Sequence, residues 1–228
     1  MKRSALITSI ILLVCFCANA QSQVGRGSVQ AGVYSNPDLG FSYKYPKDWV
    51  VHGDATNERI KEAGQEKLAE AGAASGTAVK VALAHTYFLL TVFRQPVGTP
   101  GITVNPAIMV LAENVEHAPG IKTGKDYLLN IRAVLQKTTT QFLIEEPKEY
   151  TFAGRQFFRD DSANVINGVR VVHSNFATIT NGYALVFMFL GESEQAVEEM
   201  AKSMETFALT PPVRTGVTIP PPAKPKPN

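Results

Sequence analysis

Cysteine, tryptophan and histidine are scarce in this chain: two, one and four among 228 residues. Both cysteines, Cys15 and Cys17, lie in an apolar N-terminal run. If that run is removed, the remainder has no disulfide, no thiolate nucleophile and no cysteine ligand for a metal. Long hydrophobic runs are also missing beyond that first one. Ala5 to Ala18, broken only by Thr8 and Ser9, is shorter than the ~20 apolar residues a membrane-spanning helix needs. No excess of charge is left either. Without Lys2 and Arg3 the chain carries 20 basic and 20 acidic residues, which excludes an electrostatic nucleic-acid binder. The phosphate-binding, dinucleotide-binding, zinc-protease and serine-hydrolase signatures are absent, as is any N-x-[ST] acceptor.

What is there begins with a secretory pattern. Lys2 and Arg3 precede the apolar run, and Ala18-Asn19-Ala20 supplies the small-x-small cleavage pattern. Residues 1–20 are therefore expected to be a signal peptide cut after Ala20, which directs the chain to a secreted or periplasmic location. Residues 21–32 read as a flexible leader. At the far end, residues 210–228 hold seven prolines, including Pro220-Pro221-Pro222, and read as an extended, solvated tail. Between them, 33–209 has the size of a single domain. With 45% hydrophobic residues overall, the chain has enough apolar content for a core.

Within the domain, Asn36-Pro37-Asp38-Leu39-Gly40 is turn chemistry. Phe41, Tyr43 and Tyr45 then alternate with polar residues, the period of a half-buried strand. Residues 57–73 predict a charged surface helix capped by Thr56 or Asn57. Residues 79–93 and 107–112 are strand candidates. Residues 125–135 predict a helix whose capping box is Thr123 with Asp126. Asn167-Gly168 and Asn181-Gly182 are hairpin turns, giving an antiparallel meander of about 155–164, 169–179 and 183–190. A closing helix starts at Ser193 and buries Val197, Met200, Ala201 and Met204. Strands apolar on both faces need cover on both. The expected class is α+β: an antiparallel β-sheet covered by α-helices on both faces, an α/β/α sandwich.

Tyr34, Asn36, Gly40, Phe41, Tyr45, Pro46 and Trp49 resemble the opening "Y-x-[DN]…G-F-x-[FL]-x-Y-P-x-x-W" pattern of PsbP-like proteins. The helix at 127–135, Asn181-Gly182-Tyr183, the helix to Met204 and the final Phe207 resemble that family's middle and closing modules. The resemblance covers about 34–209 and implies the same sandwich. That general fold is shared by PsbP of photosystem II, a Ran-binding nuclear import factor and DcrB-type bacterial envelope proteins. Their roles are unrelated and mostly accessory, and the family supplies no catalytic residue to carry over. The charged helix at 57–73 and the proline-rich tail depart from photosynthetic PsbP.

The two Asn-Gly turns fix a register. Residues whose numbers sum to 335 pair across the first, and those summing to 363 pair across the second. Ser162 then faces His173, which faces Leu190; Asp160 faces Asn175, which faces Met188. Side chains alternate with period two, so Asp160, Ser162, His173 and Asn175 share one face. They are candidates for a ligand site: His173 and Asp160 could hold a metal, or His173 could act as a base. A third strong metal ligand is missing. A Ser162–His173–Asp160 triad fails on geometry, because Asp160 sits on the serine's own strand. The plainer reading is a solvated or hydrogen-bonded strand end. Glu113, Glu116 and His117 form a second, weaker cation group. Trp49, Tyr43 and Tyr45 read as core or as an aromatic binding surface.

The sequence therefore predicts an exported, non-enzymatic binding or accessory module of the cell envelope, with an envelope protein or component as partner. It predicts no catalytic residue, cofactor, metal or nucleic acid. The alternative is a small-ligand or metal-binding protein using the Asp160/His173 face. A hydrolase is the third reading, disfavoured because no oriented base accompanies a nucleophile.

Overall fold

A computed structural model describes residues 24–70, 85–166 and 168–211. The expected signal peptide, residues 71–84, Asn167 and the tail from 212 lie outside the described residues. Among the described residues the fold is built from two antiparallel sheets and three α-helices. The chain runs β1 (Ser28–Gln30), β2 (Val33–Asn36), β3 (Phe41–Lys44), β4 (Val50–Val51), α1 (Asp54–Glu70), β5 (Thr86–Phe93) and β6 (Ala107–Asn114). It continues as α2 (Gly124–Leu135), β7 (Gln141–Phe142), β8 (Lys148–Phe152), β9 (Arg155–Ile166), β10 (Val169–Thr180) and β11 (Tyr183–Gly191). It ends in α3 (Glu194–Ala201), a 3-10 turn (Lys202–Thr206) and β12 (Ala208–Leu209).

The large sheet has the order β4-β5-β6-β11-β10-β9-β7, with β8 also on β9. Its centre is the predicted meander, in the predicted register. His173 pairs with Ser162 and Leu190, and Asn175 with Asp160 and Met188. Asn181 and Gly182 both have positive φ, at 50° and 78°, the backbone a tight two-residue hairpin requires.

The small sheet, β1-β2-β3-β12, is where expectation and structure part. One antiparallel sheet covered by α-helices on both faces was expected, without a second sheet. Instead Tyr34, Phe41 and Tyr43, all buried, join the core cluster that holds Phe157, Phe176, Phe187 and Phe189 of the large sheet. Val197, Met200 and Ala201 of α3 join the same cluster. A separate cluster forms where Tyr127 and Leu128 of α2 meet Ala177, Ala184 and Val186. A sheet can pack here because alternation turns Phe41 and Tyr43 of β3 and Tyr34 and Asn36 of β2 inward.

Two boundaries also move. Residues 28–30, inside the expected leader, pair with β2. The first helix starts at Asp54, so Asn57 is no cap; it is buried and accepts the Thr91 hydroxyl at 2.7 Å. The cap of α2 is as read: Thr123 accepts from the Asp126 N–H and the Asp126 carboxylate accepts from the Thr123 N–H.

Helix α2 lies close on β10 because Gly124 has no side chain. A Cβ there would stand 2.6 Å from the Ala177 carbonyl carbon. Helix propensity alone favours Gly→Ala by up to ~1 kcal/mol. The collision reverses the sign, so Gly124→Ala should destabilise by about 1–3 kcal/mol. The urea midpoint checks this, and an unchanged or raised midpoint would contradict the packing.

Candidate functional site

The four predicted residues do share a face of the meander, but two of them, Asp160 and His173, are already engaged. Asp160 is 5% exposed and accepts twice from Arg132: Nε at 2.7 Å and Nη2 at 2.5 Å. Arg132 also donates to the carbonyls of Glu145 and Ile144, at 2.9 and 2.8 Å, and lies over the Phe142 ring. Its charge is thus satisfied on every side. Ser162 is buried opposite Phe142 of β7. The ring of His173 meets Asn164, with Nε2 and Oδ1 3.2 Å apart. Asn175 keeps one buried carbonyl oxygen, Oδ1, with no hydrogen-bond partner.

This arrangement does not assemble the four as a reacting set. The carboxylate is held by a guanidinium, not by the imidazole. Burial lowers the pKa of His173 to about 4, so the ring is neutral near neutral pH. Sequence reasoning missed Arg132. Its signal was position: Arg132 stands four residues after Leu128 and five after Tyr127, on the stripe α2 buries. A lone arginine there, opposite a lone inward aspartate, is a pair waiting to form.

On the opposite face, Arg159 lies over Phe176 and binds Asp161 at 2.8 Å and Glu198 of α3 at 2.7 Å. These groups line a cleft of about 360 Å³ beside Val172 and Glu194. A larger, open cleft of about 440 Å³ lies across the first turn of α3. Pro46, Trp49, Arg94, Gln195 and Glu199 line it. The Arg94 guanidinium stands 5.7 Å from the centre of the Trp49 ring. Tyr43 and Tyr45 are core, while Trp49 is half-buried at this cleft. Of the predicted aromatic trio, only Trp49 is placed to touch a partner. Ser193 caps α3 by accepting from the Ala196 N–H at 3.1 Å.

The second predicted group changes membership. Glu113 accepts from the Tyr127 hydroxyl at 2.8 Å, and His117 packs on His85 rather than on Glu116. Glu116 lies against Gly182.

No protein-family model matches the chain, and no curated protein matches it. Solved structures do. Cyanobacterial PsbP (CyanoP) from Synechocystis aligns at TM-score 0.42 and 12% identity, over 80% of this chain and 95% of that one. LpqN, involved in cell envelope biogenesis of Mycobacterium tuberculosis, aligns at 0.36 and 12%, over 75% and 83%. PA94, a Pseudomonas aeruginosa protein of unknown function, aligns at 0.37 and 10%, over 53% and 78%. A PsbP is thus among the structures this chain is similar to, as the opening and closing motifs suggest. Scores of this size carry no functional argument.

Two measurements test the buried face. Arg132→Met leaves Asp160 buried and unpaired, and should cost about 3–5 kcal/mol. Arg132→Met with Asp160→Leu should cost clearly less than that single change. Equal losses for the single and the double, by chemical denaturation, would contradict the pairing. The second test is pH. An unfolded histidine takes its proton near 6.5, but folded His173 takes it only near 4. Between those values the unfolded state binds more protons, so stability falls as pH drops through that window, by up to about 3 kcal/mol. The fall between pH 7 and pH 4.5 should be smaller in His173→Gln than in the wild type.

Proposed function

We propose that the chain is an exported, non-enzymatic binding module of the cell envelope that meets its partner at the Trp49–Arg94 cleft. The observation that carries this reading is the half-buried tryptophan beside an exposed arginine on the lip of an open cleft. Tryptophan and arginine dominate protein-binding hot spots, since they combine large apolar contact with directional polar contact. Arg94 has no acidic partner among the described residues, so its charge is available to an incoming carboxylate or carbonyl. The N-terminal signal pattern supports export. No helix of the described residues is long and apolar enough to cross a membrane. The non-enzymatic reading rests on the commitment of Asp160 to Arg132 and on the neutral, half-buried His173.

The orphan Oδ1 of Asn175 favours a second reading, in which a small donor-bearing ligand enters the Asp160/His173 face. One experiment separates the two. A photo-crosslinking residue in place of Gln195, activated in the native envelope, should give one reproducible adduct. That adduct should be lost in Trp49→Ala and in Arg94→Ala, and kept in His173→Ala. The reverse pattern would move the site to the meander face. No adduct at all would turn the reading towards small ligands.

A further inference from the structure

Two of the four histidines meet at the end of the large sheet where β5 begins and β6 finishes. The rings of His85 and His117 are in contact, with centroids 4.9 Å apart and planes tilted by 40°. Both residues are exposed. Their backbones are held on either side. The His85 carbonyl accepts from the Asn114 N–H at 3.0 Å. The turn carrying His117 is tied by Val115 N–H to the Gly182 carbonyl at 3.0 Å and by Ala118 N–H to the Val115 carbonyl at 2.9 Å. Glu113 lies beside the pair. Burial pushes its carboxyl up, while the Tyr127 hydroxyl and then His117 and His85 pull it down, which places both imidazoles within electrostatic reach of the carboxylate.

The centroid spacing meets one requirement of a chelate. An imidazole nitrogen binds Zn²⁺ at about 2.0–2.1 Å, and the ring centroid lies roughly 1.1 Å behind that nitrogen. Two imidazoles on one tetrahedral or square-planar ion therefore hold their centroids about 4.5–5.2 Å apart. The observed separation falls inside that range. Among the described residues no three of His, Cys, Asp and Glu already form a metal-binding group. A closed structural site is thus not the form on offer. Two exposed rings supply two bonds of an open chelate, with water at the remaining positions. Imidazole selects borderline ions over Ca²⁺ and Mg²⁺, which prefer oxygen.

We propose that His85 and His117 jointly chelate a divalent transition ion of the Zn²⁺ class, with the Glu113 carboxylate beside them offsetting its charge. Each partner has a distinct part. The two imidazoles supply the bonds. Glu113, held by Tyr127, supplies a negative charge at fixed position.

The test uses Zn²⁺ alone and the untagged full chain, with Cys15 and Cys17 replaced by serine so that no thiol competes. Calorimetric titration at pH 7.5 should give one Zn²⁺ per chain at micromolar affinity. The imidazole NMR signals of His85 and His117 should shift, and those of His52 and His173 should not. His85→Ala and His117→Ala should each weaken binding more than about 100-fold, beyond the range of an outer partner. Glu113→Gln should weaken it about tenfold. All three substitutions should leave the far-UV circular dichroism unchanged. Zinc uptake that survives both histidine changes, or the absence of heat and imidazole shifts at one ion per chain, would overturn the proposal. An unchanged affinity in Glu113→Gln would remove Glu113 from it. The Trp49–Arg94 reading stands or falls separately, by crosslinking.

Discussion

The contact between Arg132 and Asp160 sets how the long antiparallel sheet meets its helix. Guanidinium and carboxylate are both buried, and such a pair is tolerated only when its remaining donors and acceptors are bonded too. Arg132 meets that condition with Asp160, with two carbonyls and with the face of Phe142. In doing so it joins three pieces of chain. These are α2, the strand β9, and the connection from β7 to β8. Helix α2 can then lie close on β10, where Gly124 leaves room for the Ala177 carbonyl. Replacing the whole pair by apolar residues need not cost much, but removing one half must. The interaction therefore fixes position more than it adds stability.

The other face is organised by aromatic rings. Phe187 of the central strand β11 has Phe41, Tyr43, Phe157 and Phe207 around it, at centroid distances of 5.0 to 6.1 Å. Most of these contacts are edge-on, the arrangement ring quadrupoles favour. Phe41 and Phe207 come from opposite ends of the domain. Their meeting is what brings β12 alongside β3 and joins the Tyr43 hydroxyl to Ser203 at 2.5 Å, across 160 residues of sequence. The small sheet is thus a consequence of closure of the chain ends over β11.

How far the fold could be read depended on how local each signal was. The two Asn-Gly turns are local and stereochemically strict, so they fixed the meander register residue by residue. The turns at Ala31-Gly32 and Ala153-Gly154 have the same positive φ, yet an alanine gives no such signal. Strands β1 and β8 next to them were therefore not anticipated. Asn57 looked like a cap because asparagine caps helices well. In the structure its amide serves Thr91, 34 residues away. Arg132 and Asp160 were each visible in the sequence. Only packing of α2 on β9 could show that they belong together. The predicted site residues came to one face for a local reason, the period of the strand. They failed to form a free polar cluster for a non-local one.

The surviving chemistry follows from this division. Asp160, inward on β9, is within reach of α2 and is absorbed by Arg132. His85 and Arg94, at the ends of a strand, are exposed because the backbone there leaves the sheet. His85 immediately precedes β5 and Arg94 immediately follows it. An eight-residue strand spans about 27 Å, so these two groups stand at opposite ends of the sheet, well beyond the ~7–10 Å within which substitutions couple. The imidazole pair and the tryptophan cleft are thus independent features held by one rigid strand. A change at either end leaves the other in place, because what connects them is backbone pairing between β5 and β6 and not a chain of side chains.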